Sequence, residues 1–176
     1  SIAMSVFAAG ALVMLGASAI THLRDWPIER VERLVRLDHS AIFVMFATSA
    51  TPFALMVMDG NRSVTLLVFA WTGAPVGVVL EYLPFHPPRG LGNTIFLTFG
   101  AGFLLFLPWL IDGLSGPQLW LLLGGALPYV IGALIVGSQW PDPWTDVFGY
   151  HEIWHVMVVL SVGMHYWLAM DLTGVV

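Results

Sequence analysis

The sequence predicts an all-α polytopic membrane bundle, and three observations carry that prediction. Of its 176 residues, 58% are hydrophobic, only 10% are charged, and the apolar residues fall in six long runs separated by turn chemistry. A water-soluble domain ordinarily carries about a quarter charged residues, so lipid is the expected solvent. A hydrocarbon core about 30 Å thick is crossed by roughly 20 apolar residues in a helix. Runs at about 1–22, 39–58, 63–80, 92–111, 117–139 and 150–170 meet that requirement without an interior Lys, Arg or Asp. Helices are the expected spanning form, because an open strand would leave backbone groups unpaired in lipid.

Each run ends where the chemistry says it should. Asp59-Gly60-Asn61, Pro84 to Gly90, Asp112-Gly113 and Trp140-Pro141-Asp142-Pro143 are the breaks. The first run begins at residue 1 and reads as a span cut at its front. With no basic leader and no small-residue cleavage site it does not read as a signal peptide. Pro52, Pro75 and Pro128 fall inside runs and are expected to bend them. Gly124, Gly125, Ala126, Gly132 and Ala133 are the small residues that let helices approach where no hydrophobic effect drives packing. Trp26, Trp109, Trp140 and Trp144 sit near run ends, as an interfacial aromatic belt would. Repeats are not evident, and residues 1–176 read as one bundle domain.

The arginines set the orientation. Arg24, Arg30, Arg33 and Arg36 follow the first run and Arg89 follows the third, against Arg62 alone on the other side. The positive-inside rule then places the first, third and fifth loops in the cytosol. Between Pro27 and Leu37, apolar residues recur at Ile28, Val31 and Leu34/Val35, with Glu29–Arg33 and Glu32–Arg36 at i,i+4 spacing. This stretch reads as a short helix lying along the membrane surface. The absence of cysteine excludes disulfides and thiolate metal sites. No basic tract suggests nucleic acid, and the net charge of −5 says little about partners.

Polar residues at span ends are costly and mark functional sites by default. Ser18 and His22 end the first span, Asp38 and His39 open the second, and His151, Glu152 and His155 open the sixth. With the orientation above, all lie at the cytosolic ends of their helices. His151 and His155 are four apart, so they stack on one helix face about 6 Å apart along the axis. A third imidazole from His22 gives a three-histidine set with an open position, the arrangement of catalytic zinc sites. Zinc suits all-nitrogen ligation, although copper, iron and nickel also accept imidazole. Ser18 lies one turn before His22 on the same face. Asp38 either caps its helix or faces a bound zinc and acts on its water. His39 points about 100° away from Asp38 and reads as a packing or interface residue. His86 and His165 read as non-ligands.

His151-Glu152-Ile153-Trp154-His155 also matches H-E-x-x-H, in which the glutamate is a protease's general base. A different arrangement fits the same positions at least as well. Leu37-Asp38-His39-Ser40-Ala41-Ile42 with Thr51-Pro52-Phe53 resembles a helix signature of the bacterial hemolysin III family. Phe148 to His155, followed by His165-Tyr166, resembles that family's last helix, and Ser18-Ala19-Ile20-Thr21-His22 fits its Ser-x-x-x-His element. Thr21 stands where the family usually has an aromatic residue. The family is related to the progestin and adipoQ receptors and, more distantly, to the alkaline ceramidases. The resemblance implies seven helices with a cytosolic N-terminus, so the first family helix is expected to be missing from this chain. It further implies zinc on His22, His151 and His155, with Asp38 and Ser18 near a water on the metal. In the receptor branch the position of Glu152 is commonly not acidic, which weakens the protease reading.

The leading expectation is a zinc-dependent hydrolase of lipid amides or esters, ceramidase-like, in a bacterial cytoplasmic (inner) membrane. Asp38 and Ser18 are its catalytic candidates, zinc its cofactor and a membrane lipid its partner. The alternatives are a receptor-like or membrane-homeostasis protein with structural zinc, a pore-forming hemolysin, and an intramembrane protease.

Overall fold

The computed structural model describes residues 1–83, 91–145 and 147–174, with backbone alone for 91–93. Its helices are α1 (Ile2–His22), α2 (Ile28–Val57), α3 (Gly60–Glu81), α4 (Leu91–Gly102), α5 (Leu107–Gly113), α6 (Gly116–Ser138) and α7 (Tyr150–Leu172). A 3-10 turn at Phe103–Phe106 joins α4 to α5, and the two together make one span. Among the described residues, six helical stretches are long and apolar enough to cross a membrane, as the composition predicts. Pro108, in the first turn of α5, has no N–H to donate one turn back. That accounts for the interruption, which lies inside what reads from sequence as a single run. The turn chemistry of Pro84 to Gly90, with His86 and Arg89, lies outside the described residues.

One element departs from expectation. The stretch from Ile28 to Leu37 does not lie along the membrane as a separate helix; it is the first part of α2, which runs unbroken for 30 residues. Pro27 precedes the helix, and no glycine or proline follows until Pro52, so nothing stops propagation into the apolar span. The expected boundary near Leu37 rested on hydropathy alone. Glu32 and Arg36 pair at 2.6 Å as predicted, whereas Glu29 and Arg33 do not pair with one another. Arg36 also donates to the carbonyl of Glu81 at the end of α3, and His39 reaches the Glu81 carboxylate at 3.4 Å. His39 thus links α2 to the end of α3 with its side chain half exposed.

Within its most apolar window α2 is 61% buried, against 17–28% for the other spans, so α2 is the helix around which the bundle is arranged. It packs along α1 on one side and α3 on the other, while α6 packs along α7. Glycines set the close approaches. The backbone of Gly10 lies against Thr48, Gly77 against Phe43 and Gly132 against Trp154, where a methyl group would collide. Pro52, Pro75 and Pro128 lie inside α2, α3 and α6, and each helix continues past its proline. Among α2, the α4–α5 span and α6 lies an apolar cavity of about 430 Å³, bordered by Phe46, Phe53, Phe96, Leu104 and Leu122.

At the opposite end from the histidines, Arg62 pairs with Asp112 at 3.6 Å and lies over the Trp109 ring. Gln118 both completes a capping box with Ser115 and donates to Asp171 at 2.7 Å, tying the start of α6 to the end of α7.

Candidate metal centre

Three chain segments deliver polar side chains to one end of the bundle. His22 is the last residue of α1, Asp38 lies in the third turn of α2, and His151 and His155 occupy the first two turns of α7. The three imidazoles form a triangle. Ring centroids are 5.0 Å apart for His22–His151, 4.9 Å for His22–His155 and 4.7 Å for His151–His155. One nitrogen from each lies within 4.8 Å of the other two. Imidazole ligands of one tetrahedral zinc stand about 3.4 Å apart, so the rings would draw together to share one ion.

Partners of the rings bear on which nitrogens remain available. His22 Nε2 is 3.1 Å from Asp38 Oδ2. A carboxylate only accepts, so that nitrogen carries the proton and Nδ1 keeps a lone pair. His155 Nδ1 is 3.4 Å from Ser18 Oγ. The Nε2 atoms of His151 and His155 are buried and meet no hydrogen-bond partner among the described residues. Two buried, unpaired imidazole nitrogens facing a third histidine are what a metal would satisfy, since a buried polar atom left alone is costly. The donor chemistry fits zinc, and Asp38 against His22 and Ser18 against His155 are contacts of the kind that orient ligating histidines. His22 is the most open member, with 39% of its side chain exposed, and Asp38 is 9% exposed overall.

The predicted residues therefore meet. Ser18, on the His22 face of α1, reaches His155 on α7. Its position one turn before His22 turns it toward the neighbouring helix. Two residues named from sequence in other terms, Thr21 and Trp26, also support the site. The Thr21 hydroxyl lies 2.8 Å from the Ala17 carbonyl and 3.2 Å from the Leu34 carbonyl, fastening the last turn of α1 to α2 beside His22. Trp26 donates its indole N–H to the Ile20 carbonyl at 2.8 Å, closing the same turn. A hydroxyl and an indole near a helix end are common enough that sequence alone gives no signal for either.

Glu152 does not face the histidines as a base would. Its Oε2 accepts from the Gly149 N–H at 2.8 Å, capping α7 from its third position. His165 is likewise occupied: buried, it donates Nε2–H to the Leu122 carbonyl of α6 at 3.0 Å. That agrees with its reading as a non-ligand, while His86 lies outside the described residues.

Comparison with known proteins bears on the same residues. The family model described as "Haemolysin-III related" matches residues 1–166. The chain is 28% identical over 159 residues to "Hemolysin-3" of Bacillus cereus, covering 90% of this chain and 69% of that protein. It is 30% identical over 141 residues to "Hemolysin-3 homolog" of Bacillus subtilis (strain 168), covering 80% of this chain and 61% of that relative. No solved structure is significantly similar to it. The match takes in His22, Asp38, His151 and His155, and with six apolar spans beneath it the conclusion is direct: the chain belongs to the haemolysin III family.

Proposed function

We propose that the chain is an integral membrane hydrolase of lipid amides or esters that works with one zinc ion held by His22, His151 and His155. The observation that carries this reading is the convergence of those imidazoles, two with unpaired buried Nε2 atoms, beside the Asp38 carboxylate. When bound, zinc supplies Lewis-acid polarisation of a carbonyl and an activated water near neutral pH. Asp38 fixes the His22 ring through its 3.1 Å contact and is the carboxylate placed to take up a proton. Ser18 orients the His155 ring. A lipid is the favoured substrate class because the cluster sits at the ends of three apolar spans. Arg24, Arg30, Arg33 and Arg36 crowd the same end while Arg62 is paired with Asp112, which by the positive-inside rule supports a cytosolic site.

A second reading keeps the zinc and drops the catalysis. α1 and α7 pack sparsely against each other, and His22 with the α7 pair would join them through a metal, as a structural staple does. A pore finds no support in the bundle's cavity, whose lining is apolar. The protease reading is disfavoured by Glu152, which is engaged in its helix cap.

Elemental analysis of purified protein should give one zinc per chain, with loss in His22→Ala and His151→Ala. Asp38→Ala should remove hydrolysis of a ceramide-type amide while leaving the helical spectrum unchanged. Metal without turnover of any lipid amide or ester, and a melting temperature that falls on chelation, would leave the staple.

A further inference from the structure

The cavity among α2, the α4–α5 span and α6 has two unlike ends. Phe46, Phe96 and Tyr129 border the end nearer the histidine cluster, and Leu66, Leu110 and Leu122 border the end nearer Arg62 and Asp112. Leu104, Leu123 and Val130 also border it and are exposed, so it opens sideways onto lipid between the α4–α5 span and α6. Its volume of about 430 Å³ falls within the range of small-molecule sites.

The polar side chains on its wall are Ser49, His165 and Tyr129. Ser49 donates to the Phe46 carbonyl and His165 to the Leu122 carbonyl, each at 3.0 Å, so both donors are spent. Tyr129 differs. Its ring stands 6.1 Å from Phe46 and 6.2 Å from His165, centroid to centroid, and its hydroxyl meets no hydrogen-bond partner among the described residues. A hydroxyl kept from water without a partner is costly. An uncharged acceptor oxygen inside the cavity would satisfy it.

Depth decides what can bring that oxygen. Tyr129 lies near the middle of α6. The hydrocarbon core is about 30 Å thick, so phospholipid ester oxygens stay about 15 Å from its middle. An acyl chain therefore offers Tyr129 no acceptor, and a carboxylate would carry charge where charge is expensive. A lipid-soluble quinone is uncharged, bears carbonyl oxygens on a flat ring and trails an alkyl tail. Flat rings suit aromatic walls, which pack by offset stacking and edge contacts. Phe46 and Phe103 already stack in this way, with centroids 5.7 Å apart and planes at 18°.

We propose that this cavity binds a lipid-soluble quinone. The ring lies at the Phe46, Phe96 and Tyr129 end, with one carbonyl oxygen accepting from the Tyr129 hydroxyl, and the tail runs toward Leu66, Leu110 and Leu122. The site goes beyond the hydrolase reading and stands without it, since none of its bordering residues belongs to the histidine cluster.

Binding of tritiated decylubiquinone to the full chain in phosphatidylcholine nanodiscs tests this, with excess unlabelled quinone correcting for partition into lipid. A single saturable site per chain is expected. Tyr129→Phe removes the hydroxyl alone and should weaken binding roughly tenfold, as loss of one hydrogen bond does, with helix content unchanged. Equimolar palmitate should leave the bound quinone in place. The absence of a saturable component overturns the proposal, as does unchanged affinity in Tyr129→Phe. Displacement by palmitate also overturns it, and would mark the cavity as a pocket for hydrocarbon chains.

Discussion

His22 and Asp38 face each other across the α1–α2 turn, with Nε2 3.1 Å from Oδ2. Under the proposed function Asp38 has two separable duties, orienting the His22 ring toward a metal and accepting a proton. Asp38→Ala removes both, and zinc affinity should fall roughly 10–100-fold, the usual effect of losing a carboxylate behind a metal-bound histidine. Asp38→Asn keeps an acceptor oxygen for His22 but cannot take up a proton near neutral pH. It should hold zinc close to the wild-type level and lose hydrolysis. Chelator competition and a lipid amide assay on the same preparations check the pair, and an active Asp38→Asn would remove the proton-acceptor role.

Glu152 invites a contrasting test. Its contact with Gly149 N–H is the glutamate half of a capping box, a role in which glutamine substitutes well for glutamate. Glu152→Gln should therefore retain zinc, activity and melting temperature. Glu152→Ala should destabilise α7 by about 1 kcal/mol, in the range of lost N-terminal caps, with zinc stoichiometry preserved. Thermal unfolding with metal analysis reads both. Complete loss of activity in Glu152→Gln, with zinc retained, would return the protease reading to contention.

The spans and the histidine set were legible because their signals are long or repeated: runs of apolar residues and a four-residue histidine spacing. What stayed hidden depends on packing between segments. The continuity of α2 through Leu37 follows from the absence of a breaker, which hydropathy does not weigh. Ser18 shares a face with His22 in sequence, but which histidine of α7 its hydroxyl meets is set by the packing of α1 on α7. The role of Glu152 turns on whether Gly149 presents its N–H, and a motif does not record that. The 3-10 joint before Pro108 was signalled by the proline and masked by the hydropathy around it.

His165 belongs to packing, and its replacement should say so. Its Nε2–H donates to the Leu122 carbonyl inside the bundle. Interhelical hydrogen bonds of this kind in membranes contribute about 0.6 kcal/mol on average. His165→Leu should lower stability modestly and leave one zinc per chain, whereas His151→Leu should release the metal. Metal analysis of the two variants side by side decides it, and zinc loss in His165→Leu would mean that the site extends deeper than the cluster.

Glycine substitutions test whether the contacts of α6 with α7 hold the site in place. A methyl at Gly132 would meet Trp154 Cε3 at 2.7 Å and Met157 Cβ at 3.0 Å, and Trp154 is the residue before His155. A methyl at Gly125 would strike the His165 ring, which cannot withdraw without leaving the Leu122 carbonyl. Gly163, on α7 itself, meets nothing within 4 Å. Overpacking in a tight core costs about 1–3 kcal/mol, so Gly125→Ala and Gly132→Ala should each lower stability by that order. Gly163→Ala should be neutral or stabilising by up to about 1 kcal/mol, the usual gain over glycine within a helix. Because Gly132 supports the turn that carries His155, its variant should also weaken zinc binding, while Gly125→Ala should not. Thermal unfolding and chelator competition on the three variants read both effects, and equal zinc affinity in Gly132→Ala and Gly125→Ala would separate α6 packing from the geometry of the cluster.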